Sequence, residues 1–179
     1  ALIQAGDKVF EREQYDKALL LFRMVFTKTD LLREMDGLVA RTKKQRDSIA
    51  TTASAADVIA EKRRLTRVLV QAEEQFQRIK EYPDYDQELA IRIGRSYIGL
   101  KRYWEGELVF RSIYEDYPKH KLADLGLYSA FAAALEGGLD ERAIFEGTEY
   151  MNVFVGGENW DRLTAGLAQL YATREEFAK

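Results

Sequence analysis

The chain has 179 residues, 46% hydrophobic and 32% charged, enough apolar material for a folded core and too much for an unstructured chain. A net charge of -3 and a pI near 5.4 weigh against a general nucleic-acid binder. The absence of cysteine excludes disulfides, thiolate metal sites and thiol nucleophiles, and a lone histidine, His120, excludes any site needing two imidazoles.

Only Pro83 and Pro118 break the chain, while strong helix formers dominate it, which points to long helices rather than strands. The pattern is already helical at Ala1, as expected of a mature protein or a fragment. Ile3, Val9 and Phe10 fall on one face of a short helix, and Gln14-Tyr15-Asp16 makes a turn. Ala18, Leu19, Phe22, Val25 and Phe26 follow at helical spacing, giving a first helix pair over 1–30. A stripe through Leu31, Met35, Leu38, Thr42 and Ile49 leads to Thr51-Thr52-Ala53-Ser54, where Ser54 and Asp57 carry an N-cap signature. The next helix holds Val58, Leu65, Leu69, Ala72, Phe76 and Ile79 and stops at Tyr82-Pro83, so 31–83 is expected to be one long helical hairpin. Further pairs are expected over 86–118 and 122–154, the latter turning at Gly137-Gly138. A C-terminal helix is expected over 159–179, after the breaker Gly156-Gly157. No apolar run reaches the roughly 18–20 residues of a membrane span.

Ala18 to Phe22, Ala72 to Phe76 and Gly106 to Phe110 each place an aromatic four residues after a small side chain, and Phe76 and Phe110 are 34 apart. Gly94, Tyr97, Tyr103, Gly106, Phe110 and Pro118 have the spacing of the tetratricopeptide signature, and here the chain resembles that repeat family. The match is fullest over 87–118, thinner over 2–30, confined to the second helix over 54–83, and loose over 122–154. It implies an all-α solenoid of antiparallel helix pairs with one long inserted hairpin and a C-terminal helix. Gly94 and Gly106 would let helices approach, and Tyr97, Tyr103 and Phe110 would fill the gap. Tyrosine-proline repeat ends and irregular hairpins are also similar to bacterial cell-envelope members of the family, such as the lipoprotein of the β-barrel assembly machinery and the Tol-Pal coordinator. That looser resemblance implies a periplasmic setting.

The family lines a groove with the first helix of each pair. By that pattern Glu88, Ile91, Arg92, Arg95 and Ile98, with Ile3, Asp7 and Phe10 from the front pair, would face a protein partner. The arginines would take its carboxylates; the alternative is an ordinary solvated face. The hairpin tip is a second candidate. Residues 41–67 carry eight cations, among them Lys43, Lys44, Arg46, Arg63 and Arg64, against three acids, a local charge of +5. Residues 136–161 carry seven acids against Arg142, or -6. Such asymmetry steers an acidic partner or joins copies head to tail; a solvated tip has the same composition. Among the aromatic residues Tyr97, Tyr103, Trp104, Phe110, Tyr114 and Tyr117, most are core by spacing and Trp104 is the one expected at the surface. There is no Gly-rich phosphate loop and no cofactor motif, His120 sits in a loop, and no acid, Glu146 and Glu149 included, stands in an apolar setting that would raise its pKa. A non-catalytic scaffold that binds protein partners, without cofactor or metal, is therefore expected, or else a structural subunit that self-associates through its charged ends.

Overall fold

A computed structural model describes residues 1–49 and 55–173. The described residues form helices joined by short turns and hold no strand. The helices are α1 (Leu2–Phe10), α2 (Tyr15–Arg23), α3 (Lys28–Ser48), α4 (Ala55–Glu81), α5 (Asp86–Gly99), α6 (Tyr103–Asp116), α7 (Ala123–Glu136), α8 (Asp140–Val153) and α9 (Trp160–Thr173). The expected cap at Ser54 lies outside the described residues. None of the helices is long and apolar enough to cross a membrane.

The first pair is shorter than the apolar pattern suggests. It closes at Arg23, and α3 opens at Lys28 because Thr27 takes an extended backbone and its hydroxyl accepts the Asp30 N–H at 3.0 Å. The chain divides into two compact units, Ala1–Val25 with Gln87–Lys179, and Phe26–Asp86.

Within the larger unit one turn is used three times. Glu13, Lys101 and Gly138 take positive φ, at 58°, 58° and 65°. Beside each, a backbone N–H reaches back five residues, from Gln14 to the Val9 carbonyl, from Arg102 to that of Tyr97 and from Leu139 to that of Ala134. This left-handed closure ends α1, α5 and α7 and sends the chain back as α2, α6 and α8. Small residues then set how closely helices approach. A Cβ on Gly94 would lie 2.6 Å from the Phe110 ring, and one on Gly106 2.6 Å from Ile98. Tyr15 packs against Gly99 and Tyr103 against Gly137, so the tyrosine opening one returning helix meets the glycine near the end of a later one. The helix α9 covers the last pair with Leu163, Leu167 and Leu170, all buried, while Leu167 lies over Gly147 and Phe131 over Gly166. Asp124 fixes the entry to α9, accepting from the Tyr150 hydroxyl at 2.9 Å and from Asn159 Nδ2 at 2.7 Å. Burial and that carboxylate push the Tyr150 phenol up to about 12.

The smaller unit is the hairpin of α3 and α4. Thr42, Leu65, Leu69 and Ala72 form its buried seam. Its base is tied at both helix ends. Asp86 accepts the Lys28 and Thr29 N–H groups at 2.6 and 3.0 Å, satisfying free donors at the start of α3. Lys28 Nζ in turn donates to the carbonyls of Lys80 and Tyr82, at 3.0 and 2.5 Å, at the end of α4, and pairs with Asp84 at 2.8 Å.

Candidate functional site

In the larger unit, α1, α5 and α7 border two adjoining depressions. One, of about 210 Å³, is lined by Asp7, Phe10, Phe22, Ile91, Arg92 and Arg95. The other, of about 280 Å³, is lined chiefly by Ile91, Arg95, Ile98, Leu125, Ser129 and Ala132, with Glu136 at its edge. Ile91 and Arg95 belong to both and form the wall between them. Four of the five residues expected on this face, Ile91, Arg92, Arg95 and Ile98, line the depressions, as do Asp7 and Phe10. Glu88 is exposed one turn before Arg92 and lines neither.

The two arginines have different duties. Arg92 donates from Nε to Asp7 Oδ1 at 2.8 Å and from Nη1 to the Glu88 carbonyl at 3.1 Å, so it is spent inside the fold. Arg95 is exposed and has no hydrogen-bond or ion-pair partner among the described residues. It is therefore a cation standing between the larger, chiefly apolar hollow and a smaller one of mixed lining, where Asp7 and Arg92 sit beside Phe10 and Phe22. The contribution of α7, through Leu125, Ser129 and Ala132, was not singled out from the sequence. The i, i+4, i+7 spacing of those three was the available signal.

Of the hairpin cations, Lys43 pairs with Glu73 at 3.3 Å, Arg46 with Asp47 at 2.9 Å, and Arg64 with Glu61 at 2.6 Å. The Arg64 hydrogen bond holds the Glu61 carboxyl below its ordinary value. Lys44 and Arg63 are exposed and without a partner among the described residues.

The expectation that no acid is held in a burying environment is overturned. Glu107 of α6 and Glu146 of α8 are both fully buried. Arg142 reaches both, touching Glu107 and lying 3.2 Å from Glu146, and Arg111 binds Glu146 at 2.6 Å and Glu149 at 2.8 Å. Loss of water and the neighbouring Glu107 push Glu146 up to about 7, against the pull of Arg111. Burial works against the Arg111 charge, but its bonds to Glu115, Glu149 and Glu146 hold it above its ordinary range. Trp104, 49% exposed as its turn position suggests, lies with its ring 5.4 Å from the Arg142 guanidinium. Arg111 and Arg142 answer these carboxylates in part, leaving Glu107 Oε2 and Arg142 Nε buried without a hydrogen-bond partner among the described residues, and neither Glu107 nor Glu146 lines either depression. Among the described residues no group of acids and histidine is arranged to hold a metal ion.

No protein-family model, no curated protein and no solved structure matches the chain.

Proposed function

We propose that the chain is a tetratricopeptide-like α-solenoid and a non-catalytic scaffold that binds a protein partner along the face made by α1, α5 and α7. The observation that carries this reading is Arg95. It is a cation without a partner among the described residues, set between an apolar depression and one of mixed lining on one face. An extended segment laid across that face would place a carboxylate on the guanidinium and drop an apolar side chain into the larger depression. The repeated turn at Glu13, Lys101 and Gly138, and the tyrosine–glycine contacts between pairs, support a stacked array of hairpins in which such a face is continuous.

The test is site-specific photo-crosslinking in the native host. A photoreactive residue at Ser129, inside the larger depression, is expected to trap a partner that one at Lys119, in the loop after α6, does not. Equal capture at both positions, or none at Ser129, would remove the groove from the account.

A further inference from the structure

We infer that one flank of the α3–α4 hairpin, marked by Ile59, Arg63 and Arg67, is a docking site for an acidic helix of a partner protein. The site lies in the smaller unit and does not depend on the groove reading. Ile59, Arg63 and Arg67 follow one another at i, i+4 and i+8, which places them in a single column along α4. Lys62 and Thr66 form the neighbouring column, and together with Arg46 and Asp47 of α3 they line an open depression of about 920 Å³. Arg46 is answered by Asp47 at 2.9 Å. Lys62, Arg63 and Arg67 have no partner among the described residues, which leaves three cations uncompensated around one hollow.

Like charges one turn apart oppose each other on a helix. Arg64 has found its acid in Glu61, whereas Arg63 and Arg67 pair with no acid among the described residues. Acids at i and i+4 of a partner helix have the same one-turn spacing and would meet both guanidinium groups. An apolar residue one turn further would cover Ile59, which is 52% exposed. The flank of two packed helices is also where a third helix seats, its ridge lying in the groove between them. A flat anionic membrane would draw equally on Arg41 and Lys44 and would gain nothing from a hollow. The overall charge of -3 disfavours a nucleic-acid backbone.

The full chain is titrated by fluorescence anisotropy with a synthetic helical peptide of Leu, Ala and Glu whose glutamates lie one turn apart. A scrambled isomer of equal charge and phosphatidylglycerol vesicles serve as comparisons. The patterned peptide is expected to bind at low salt, to weaken once the screening length falls below about 10 Å, and to bind more tightly than the scrambled isomer. Arg63→Gln with Arg67→Gln should weaken it at least about tenfold, while Arg63→Lys with Arg67→Lys retains most of the binding and shows that the fold is kept. Lys119→Gln with Lys121→Gln removes equal charge elsewhere and should change little. Equal binding of the two peptides, equal loss from the Lys119 and Lys121 changes, binding to vesicles alone, or no binding at all would each overturn the inference. Self-association of the chain that Arg63→Gln with Arg67→Gln abolishes would replace the partner with a second copy and overturn it as well.

Discussion

Arg92 of α5 and Asp7 of α1 are joined at 2.8 Å although 85 residues separate them in the chain. The bond links the first helix pair to the second in the larger unit and engages the Nε edge of Arg92 inside the fold. Arg92→Ala and Asp7→Ala are each expected to lower stability modestly. The coupling between them in a double-mutant urea series should be on the order of 0.5 kcal/mol, because both groups are partly in water. Zero coupling would reduce the contact to a surface coincidence.

The repeated turn has a direct test. Glu13 and Lys101 occupy a left-handed backbone that glycine adopts without a Cβ clash, as Gly138 does at the third turn. Glu13→Gly and Lys101→Gly should therefore each raise stability, by about 0.5–1 kcal/mol once the added freedom of the unfolded chain is deducted. Loss of stability in chemical denaturation would mean that the Glu13 and Lys101 side chains hold the turn in another way.

At Gly94 two effects oppose. Alanine gains about 1 kcal/mol of helix propensity, but its Cβ would sit 2.6 Å from the Phe110 ring. Overpacking of about 1–3 kcal/mol should win. Gly94→Ala is thus expected to destabilise, and Phe110→Leu introduced with it should recover part of the loss. A neutral Gly94→Ala in thermal unfolding would show that α5 and α6 can part without cost.

Buried Glu146 makes stability depend on pH. The Glu146 carboxyl rises from an ordinary value of 4.5 to about 7 in the fold. Its protonated form therefore supports the native state fully below about pH 4.5, and that support is lost as pH climbs to about 7. Between those limits Glu146 should account for a decline on the order of 1–3 kcal/mol. Glu146→Gln, which keeps a hydrogen-bonding amide without the proton, should flatten that part of the profile. An unchanged slope in urea midpoints across the interval would show that Glu146 stays ionised against Arg111 and Arg142.

Short-range pattern carried most of the architecture. The Gly94, Gly106 and Phe110 contacts follow from spacing within two helices, and the hairpin ends near Tyr82-Pro83 as the proline dictates. The start of α3 was also written in the chain: Thr27 with Asp30 has the form of an N-cap, but the apolar residues around Val25 and Phe26 suggested a longer first pair. What stayed hidden joins distant residues or breaks the polarity rule. Asp86 caps a helix that begins 58 residues earlier, and no local pattern announces it. Glu107 and Glu146 hold interior positions that hydrophobic periodicity assigns to apolar side chains, so only their arginine partners explain their burial. Arg92 and Arg95 look alike in sequence; the bonds to Asp7 and Glu88 separate Arg92 from Arg95, which has no partner among the described residues.

Arg95, without a partner among the described residues, borders both depressions on the face of α1, α5 and α7. The most direct measurement is the affinity of the partner trapped at Ser129 for the unaltered chain and for Arg95→Glu and Arg95→Lys, with thermal unfolding followed in parallel. Arg95→Glu should weaken binding at least about tenfold, with the unfolding midpoint unchanged and Arg95→Lys in between. Equal affinity for the unaltered chain and Arg95→Glu would contradict a partner seated on the face of α1, α5 and α7.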